Sequence, residues 1–396
     1  MKRLTRGLVA LSCVVLLTPL TPGPWASAGP STTPRVVNGT GGPSPNFDFL
    51  LALGDRARYA EAGMEQAQFC GASLVSASKA VTAAHCVQGI RAHELVIGWF
   101  PTGDLRSPTG TVVDVARINV YSRYRTISQQ GDVAVLTLAK PLLGVPTIIV
   151  PTKAEADALT AGGTPAEVAG WGAVNRKEPR LFRPVYRIGA LTIFPERSCG
   201  GGRPYTIDGI RFLGYGPSSV DPRVMICAEG VRLEKPVDSC VGDSGGPLVA
   251  GLTGTRALIG IVSWGLETCA SRKGAGVYTR LASFPRFLTR SAVPFGENPR
   301  GTPATPTIVD VTVTSDSATA TVAISPRGLS PDTVIIAARA ADGTVTTCEA
   351  QPTAPPGQSQ CDITGLTSAT AYRVSVTAAT GDAFSPTSPG VPVTLP

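Results

Sequence analysis

The sequence predicts an all-β chain of more than one domain, built from short strands packed as sandwiches or barrels. Three observations carry that expectation. Apolar residues fill 43% of the 396 positions and charged residues only 16%, enough to bury substantial cores and too apolar for a wholly disordered chain. The 44 glycines and 35 prolines follow no Gly-X-Y period, which excludes collagen. They punctuate short stretches rich in Val, Ile and Thr, the pattern of strands and turns rather than of helical bundles. At about 150 residues per domain, the length suggests two or three domains.

Residues 1–28 read as a secretory signal peptide. Lys2, Arg3 and Arg6 form a positive start, Leu8 to Leu17 an apolar middle, and Ala26-Ser27-Ala28 a small-x-small cleavage site. The apolar run is shorter than the roughly 20 residues that span a bilayer. The expectation is a secreted, soluble, extracellular protein without a membrane partner.

Residues 36–292 hold many short apolar runs, among them Val112-Val113, Val133 to Leu138, Thr147 to Val150, Leu248-Val249 and Ala257 to Val262. A helix is expected to close this region, with Ser283 as its cap, Pro285 in its first turn and Phe287 and Leu288 facing inward. Residues 293–303 read as a linker of Pro, Gly and polar residues. Residues 304–396 are rich in Thr, Ala, Ser and Val. They alternate with period two at Val309 to Val313, Ala320 to Ile324 and Tyr372 to Val376, as half-buried strands do.

The formal charge of +7 and a pI near 9.0 raise the question of nucleic acid. Three of the positive charges lie in the leader, and the others form no run or stripe, so no nucleic-acid partner is expected. Cys13 leaves with the leader, and eight cysteines remain: Cys70, Cys86, Cys199, Cys227, Cys240, Cys269, Cys348 and Cys361. An even set in an exported chain suggests disulfides. With no C-x-x-C and only His85 and His93, metal binding is the weaker reading; neither a metal nor another cofactor is expected. Spacing alone leaves the pairing open.

Three segments together carry a catalytic possibility: Thr82-Ala83-Ala84-His85-Cys86, Gly131-Asp132-Val133-Ala134-Val135 and Gly242-Asp243-Ser244-Gly245-Gly246-Pro247. A serine hydroxyl is a poor nucleophile until an adjacent base takes its proton, and histidine suits that task. The histidine in turn needs an acceptor on its far nitrogen to hold the useful tautomer. Ser244, His85 and Asp132 supply those three parts. Glycines beside the serine let backbone N–H groups aim at a developing oxyanion.

With these segments, residues 36–292 resemble the chymotrypsin-like serine peptidases, trypsin-like branch. Cys70-Gly71-Ala72-Ser73-Leu74, Gly170-Trp171-Gly172, Ser263-Trp264-Gly265 and Gly276-Val277-Tyr278-Thr279 add to the match. The resemblance implies two six-stranded antiparallel β-barrels, the first ending near residue 145. It implies Ser244 as nucleophile, His85 as general acid/base, Asp132 as orienting carboxylate, and the N–H groups of Gly242 and Ser244 as oxyanion hole. His93 matches nothing in the pattern and is expected at the surface.

Asp238 stands at the position that floors the primary pocket in this family. A carboxylate buried there calls for a cationic partner. Ser263, Trp264, Gly265 and Gly276 fall at matching substrate-binding positions, the two glycines leaving the pocket open. Polypeptides with Arg or Lys before the scissile bond are the implied substrates. Arg35-Val36-Val37-Asn38-Gly39 resembles the family's activation site, so residues 29–35 would form a short pro-segment. Cutting after Arg35 would free the Val36 ammonium to pair with Asp243, and the site's own arginine suggests self-activation. Val36 and Asn38 replace the commoner Ile and Gly, and Asn tolerates left-handed backbone angles.

The family pattern also implies the pairs Cys70–Cys86, Cys199–Cys227 and Cys240–Cys269. The 199–227 segment is longer than usual and is expected to border the cleft. Residues 91–111 lack the acidic cluster of the family's calcium loop.

Residues 304–396 resemble a fibronectin type III domain, a β-sandwich. The match centres on Gly365-Leu366-Thr367-Ser368-Ala369-Thr370-Ala371-Tyr372, whose tyrosine can bond back to the backbone at a strand corner. Ile324 stands where many members carry Trp, and Cys348 and Cys361 would pair within the module. Such a module attaches to a polymer or a partner protein, or serves as a spacer, and no exposed aromatic row announces a carbohydrate surface. The expected whole is a secreted trypsin-like endopeptidase made as a zymogen, monomeric by default. The alternative is a non-catalytic or narrowly specific regulatory homologue used for protein binding.

Overall fold

The computed structural model of the protein describes residues 36–173, 184–251, 256–266, 268–296, 301–352 and 357–396. The expected signal peptide, the pro-segment and Arg35 lie outside the described residues.

Six strands close the first barrel. They are β1 (Leu50–Asp55), β2 (Gln68–Ser76), β3 (Lys79–Thr82), β4 (Leu95–Trp99), β5 (Thr111–Val120) and β6 (Ala134–Leu138), in the order β1-β2-β3-β6-β5-β4, every pair antiparallel. Leu51, Leu53, Leu74, Ile97 and Leu136 fill its interior. Two short helices between β1 and β2, α1 (Arg56–Ala62) and α2 (Met64–Ala67), were not expected. α1 buries no residue and so carries no apolar period; its local support is Asp55 Oδ1, which accepts the Arg58 N–H at 2.8 Å.

α3 (Lys153–Leu159) follows the first barrel, opened by a Thr152–Glu155 capping box. The second barrel uses β7 (Pro165–Gly170), β8 (Arg187–Ile193), β11 (Met225–Arg232), β13 (Pro247–Ala250), β14 (Ala257–Trp264) and β15 (Gly276–Arg280). The order β11-β15-β14-β13-β7-β8 closes where β8 pairs with β11 at Ile193–Ala228 and Thr192–Glu229. β12 (Lys235–Val237) hangs on β11. β9 (Tyr205–Ile207) and β10 (Ile210–Phe212) form a hairpin inside the 199–227 segment, turned by Asp208 and Gly209, both with positive φ.

Two local expectations change. Thr147 to Val150 is no strand; Ile149 and Val150 make only isolated bridges, to Ala257 and Phe295. The closing helix α4 spans Pro285–Arg290, with Phe284 at its cap position. Ser283 ends a preceding 3-10 turn and spends its hydroxyl on Arg223 O at 2.7 Å, so it caps nothing. Pro285 does open the helix, and Leu288 is fully buried.

The described ends of the 293–303 segment are packed rather than loose. Val293 is buried and Phe295 lies against the first core, while Thr302 is buried and Pro303 bridges Gly328. Beyond it, β16 (Thr307–Val313), β17 (Ser317–Ile324) and β20 (Gly357–Thr364) make one sheet. β18 (Thr333–Ala340), β19 (Val345–Ala350), β21 (Ala371–Thr380), β22 (Ala383–Phe384) and β23 (Val391–Thr394) make another. Val322, Ile324, Ile363, Val334, Ile336, Val374 and Val376 from both sheets share one core. Tyr372 Oη accepts the Thr367 N–H at 2.9 Å, five residues upstream. Among the described residues no helix is long and apolar enough to cross a membrane.

Candidate active site

The three segments singled out in the sequence meet where the barrels face each other. His85 sits on a single 3-10 turn after β3, Asp132 just before β6, and Ser244 on the turn into β13. The barrels are fastened here by backbone. Gly71 N–H donates across the barrels to Ser244 O at 2.7 Å, and within the first barrel Thr82 Oγ1 donates to Gly71 O at 2.8 Å. A Cβ on Gly245, whose φ is 78°, would lie 2.5 Å from Gly71 O, so this turn needs glycine for both reasons.

Asp132 is fully buried. Its Oδ1 accepts the His85 backbone N–H at 2.9 Å, and its Oδ2 meets His85 Nδ1 at 2.8 Å. The second barrel adds Ser263 Oγ, which donates to Asp132 Oδ2 at 2.5 Å, and Thr279 Oγ1, which donates to Asp132 O at 2.8 Å. A carboxylate acceptor at Nδ1 favours the ring proton there and leaves Nε2 unprotonated. Nε2 lies 3.7 Å from Cys86 Sγ, and Ser244 Oγ, half-buried, forms no hydrogen bond to it among the described residues. Such contacts are often loose without substrate.

Two peptide planes at the Ser244 turn are fixed by their carbonyl ends. Val241 O accepts the Ala173 N–H at 2.7 Å, and Asp243 O accepts the Gly246 N–H at 2.9 Å. In a trans peptide the N–H points opposite to the C=O, so the N–H groups of Gly242 and Ser244 are aimed by these bonds. Neither has an acceptor among the described residues. Gln68, buried and not foreseen from the sequence, donates from Nε2 to Gly242 O at 2.9 Å.

Beside Ser244 lies a cavity of about 250 Å³, bounded by Asp238, Ser239, Ser263, Trp264, Gly265 and Gly276. Asp238 is buried; Oδ2 accepts the Ala270 N–H at 3.0 Å. Burial pushes its carboxyl up to about 7, against the pull of that N–H and with a further push from Asp243. A Cβ on Gly276 would lie 2.6 Å from Asp238 Oδ1, whereas one on Gly265 would meet only Gly276 Cα at 3.9 Å. Glycine at 276 is therefore required by the acid beside it, and glycine at 265 keeps space open.

Glu229, missed in the sequence, is fully buried behind this wall. Its Oε2 accepts the Gly276 N–H at 3.2 Å and its Oε1 has no partner among the described residues. Burial pushes it well above the usual carboxyl range, and Asp238 pushes it further. Its only signal was a Glu in an otherwise apolar strand, Met-Ile-Cys-Ala-Glu-Gly-Val. The 199–227 segment also reaches the wall. Tyr215 Oη donates to Ala275 O at 2.7 Å, and its ring meets Trp264 edge-on at 5.4 Å.

Asp243 is the second buried acid of the turn. Gly172 N–H donates to Oδ1 at 2.8 Å and Cys240 N–H to Oδ2 at 2.9 Å. Burial pushes it up to about 6, these two N–H groups opposing, and no Lys or Arg pairs with it among the described residues. A Cβ on Gly170 or Gly172 would collide with its carboxyl, which explains glycine on both sides of Trp171. Val36 is fully buried in the second core, and Val37 packs with Ala173 and Cys240, neighbours of the groups that hold Asp243. Asn38 takes φ 60° and donates from Nδ2 to Pro236 O at 2.7 Å.

Disulfides join Cys70 to Cys86, Cys199 to Cys227, Cys240 to Cys269 and Cys348 to Cys361. The one compact group of metal-ligand types among the described residues, Cys70, His85 and Cys86, contains that first disulfide and offers no thiolates. His93 is exposed.

Residues 38–288 match the family described as Trypsin. Trypsin of Saccharopolyspora erythraea is 35% identical over 217 residues, 55% of this chain and 84% of that protein. Hypodermin-B of Hypoderma lineatum is 31% identical over 67% of this chain and 91% of its own length. Trypsin 5G1 of Aedes aegypti is 30% identical over 66% of this chain and 85% of its own.

Proposed function

The chain belongs to the trypsin family and is a serine endopeptidase that acts on polypeptides, and from that premise we propose that it cleaves after Arg or Lys with Ser244, His85 and Asp132. His85 Nε2 takes the Ser244 proton as Oγ attacks the carbonyl carbon. Asp132 holds the ring and stabilises the imidazolium. The oxyanion forms against the N–H groups of Gly242 and Ser244, where one donor is worth about 2.7–4 kcal/mol in the transition state. His85 then protonates the leaving amine. Water, deprotonated by the same nitrogen, releases the acyl group and restores Ser244.

The observation that carries the specificity is the position of Asp238, buried in the cavity that Ser244 borders with no Lys or Arg paired to it among the described residues. An arginyl or lysyl side chain supplies the missing charge.

We further propose that cleavage after Arg35 activates the chain. Val36 has φ 44°, an unfavourable angle for a β-branched residue, and the constraint ends once the bond to residue 35 is cut. The freed ammonium then pairs with Asp243, which is buried with no Lys or Arg beside it among the described residues. Secretion fits the four disulfides and the leader composition. The brace from Tyr215 to the pocket wall favours selectivity beyond the residue before the scissile bond.

Trapping tests the mechanism. An activated arginyl ester mixed with material beginning at Val36 should give a burst, with the acyl group located on Ser244 by mass spectrometry. A burst with the acyl group elsewhere, or an unaltered rate in Ser244→Ala, would overturn it.

A further inference from the structure

We infer that the C-terminal sandwich is an intramolecular partner of the first barrel, clamped to the barrel end remote from the active site, rather than a module on a free tether. The clamp is a closed triangle of three residues. Arg339 Nη2 pairs with Asp48 Oδ2 at 3.3 Å, and the Arg339 guanidinium lies over the Trp99 ring at 5.1 Å. Trp99 Nε1 donates back to Asp48 O at 2.7 Å. Arg339 belongs to β18 of the sandwich, Asp48 and Trp99 to the first barrel. The arginine side chain is only 9% exposed, so its charge is committed to this contact.

Strand alternation supports the same conclusion. Val334, Ile336 and Ala338 of β18 face the sandwich's own core, so Ala337 and Arg339 point the other way. An outward face on an isolated sandwich is wet, yet Ala337 is 3% exposed. It is covered by the barrel: a Cβ placed on Gly144 would lie 3.2 Å from Ala337 Cβ. Two hydrogen bonds lie farther along the seam. Thr387 N–H donates to Thr147 Oγ1 at 2.9 Å, and Ser78 Oγ donates to Asp382 O at 3.4 Å.

The contacts spare the active site for a topological reason. β3 begins beside Ser78 and runs toward His85. β6 begins after Asp132 and runs toward Gly144. The sandwich touches the starting side of β3 and the finishing side of β6, the same end of the barrel, and the two active-site residues sit at the other. The barrel face at Asp48 and Trp99 is thus an interaction surface whose occupant is the same chain's sandwich, and substrate access does not depend on it.

The test uses the full chain. Gly144→Cys with Ala337→Cys, in a Ser244→Ala background that prevents self-digestion, should form a new disulfide within one chain, because the Cβ separation is close to disulfide range. Two free thiols in the folded protein, or a covalent dimer, would overturn the inference. Gly144 has φ 70° and the cysteine there is strained, so Arg339→Met gives a second reading. Hydrogen exchange should rise about tenfold across residues 95–101 and 142–148 in that variant, with unchanged hydrolysis of an arginyl amide. Equal exchange in the parent and Arg339→Met would overturn it.

Discussion

Asp132 holds His85 at two points, accepting the backbone N–H on Oδ1 at 2.9 Å and meeting the ring Nδ1 on Oδ2 at 2.8 Å. One contact fixes where the residue starts, the other how the ring turns. Ser263 and Thr279, both from the second barrel, anchor the same aspartate. His85 is therefore oriented by a carboxylate that neither barrel positions alone.

If Ser244 and His85 act as one unit, their losses do not add. Ser244→Ala and His85→Ala should each lower kcat by on the order of a millionfold, and the double variant should be little worse. The unfolding midpoint of Ser244→Ala should stay at the parent value. Multiplied losses in the double variant would mean that the two residues act separately.

Activation is predicted to need a free Val36 ammonium. Arg35→Gln, which the enzyme itself would not cut, should remain inactive as the uncut chain. The same sequence produced to begin at Val36 should be active, and Asp243→Asn should abolish that gain. Full activity of uncut Arg35→Gln would remove Asp243 from the switch.

Burial holds Asp238 near 7, and cation binding needs its carboxylate. A small guanidinium ligand should bind the Ser244→Ala chain more tightly as pH rises through about 7, with proton release below it. Calorimetry in two buffers of different ionisation heat reads both effects. The folded value lies above the ordinary 3.8, so the folded chain holds this proton more tightly than the unfolded chain does. Its contribution to stability is full below about 4 and is lost as pH rises to about 7. Asp243, pushed up to about 6, acts in the same direction in the uncut chain. Affinity that stays flat between these limits would contradict the assignment.

Glu229 is predicted to act as a neutral acceptor that holds Gly276 beside Asp238. Glu229→Gln keeps an acceptor and should leave KM for arginyl substrates near the parent value. Glu229→Ala strips it and should raise KM by about tenfold, the factor for ~1.4 kcal/mol of a buried hydrogen bond left unmade. Equal damage in both variants would show that its charge, not its acceptor, matters.

Much of this arrangement was legible because it is carried by short-range patterns. Gly170-Trp171-Gly172 and Gly242-Asp243-Ser244-Gly245-Gly246 are glycine-rich where a carboxyl or a neighbouring backbone leaves no room for Cβ. Asp208-Gly209 between two short apolar runs is a hairpin signal of the same short-range kind. What could not be read are contacts set by tertiary packing. Gln68 reaches Gly242 across 174 residues, and Arg339 reaches Asp48 across 291. Neither residue type nor spacing announces such a partner. Ser283 differs for a related reason: a serine two residues ahead of a helix-opening proline looks like a cap, but its hydroxyl donates to Arg223 O.

The most direct test of the central claim is amide hydrolysis by material beginning at Val36, over peptides that vary only the residue before the scissile bond, with Ser244→Ala and Asp238→Ser as controls. Fast cleavage after Arg and Lys alone is predicted. Ser244→Ala should lose it, and Asp238→Ser should weaken it by roughly a hundred- to several-thousand-fold, the cost of stranding one partner of a buried ion pair. Cleavage after uncharged residues at comparable rates, or arginyl cleavage unchanged in Asp238→Ser, would contradict the assignment of Asp238 as the group that selects the substrate.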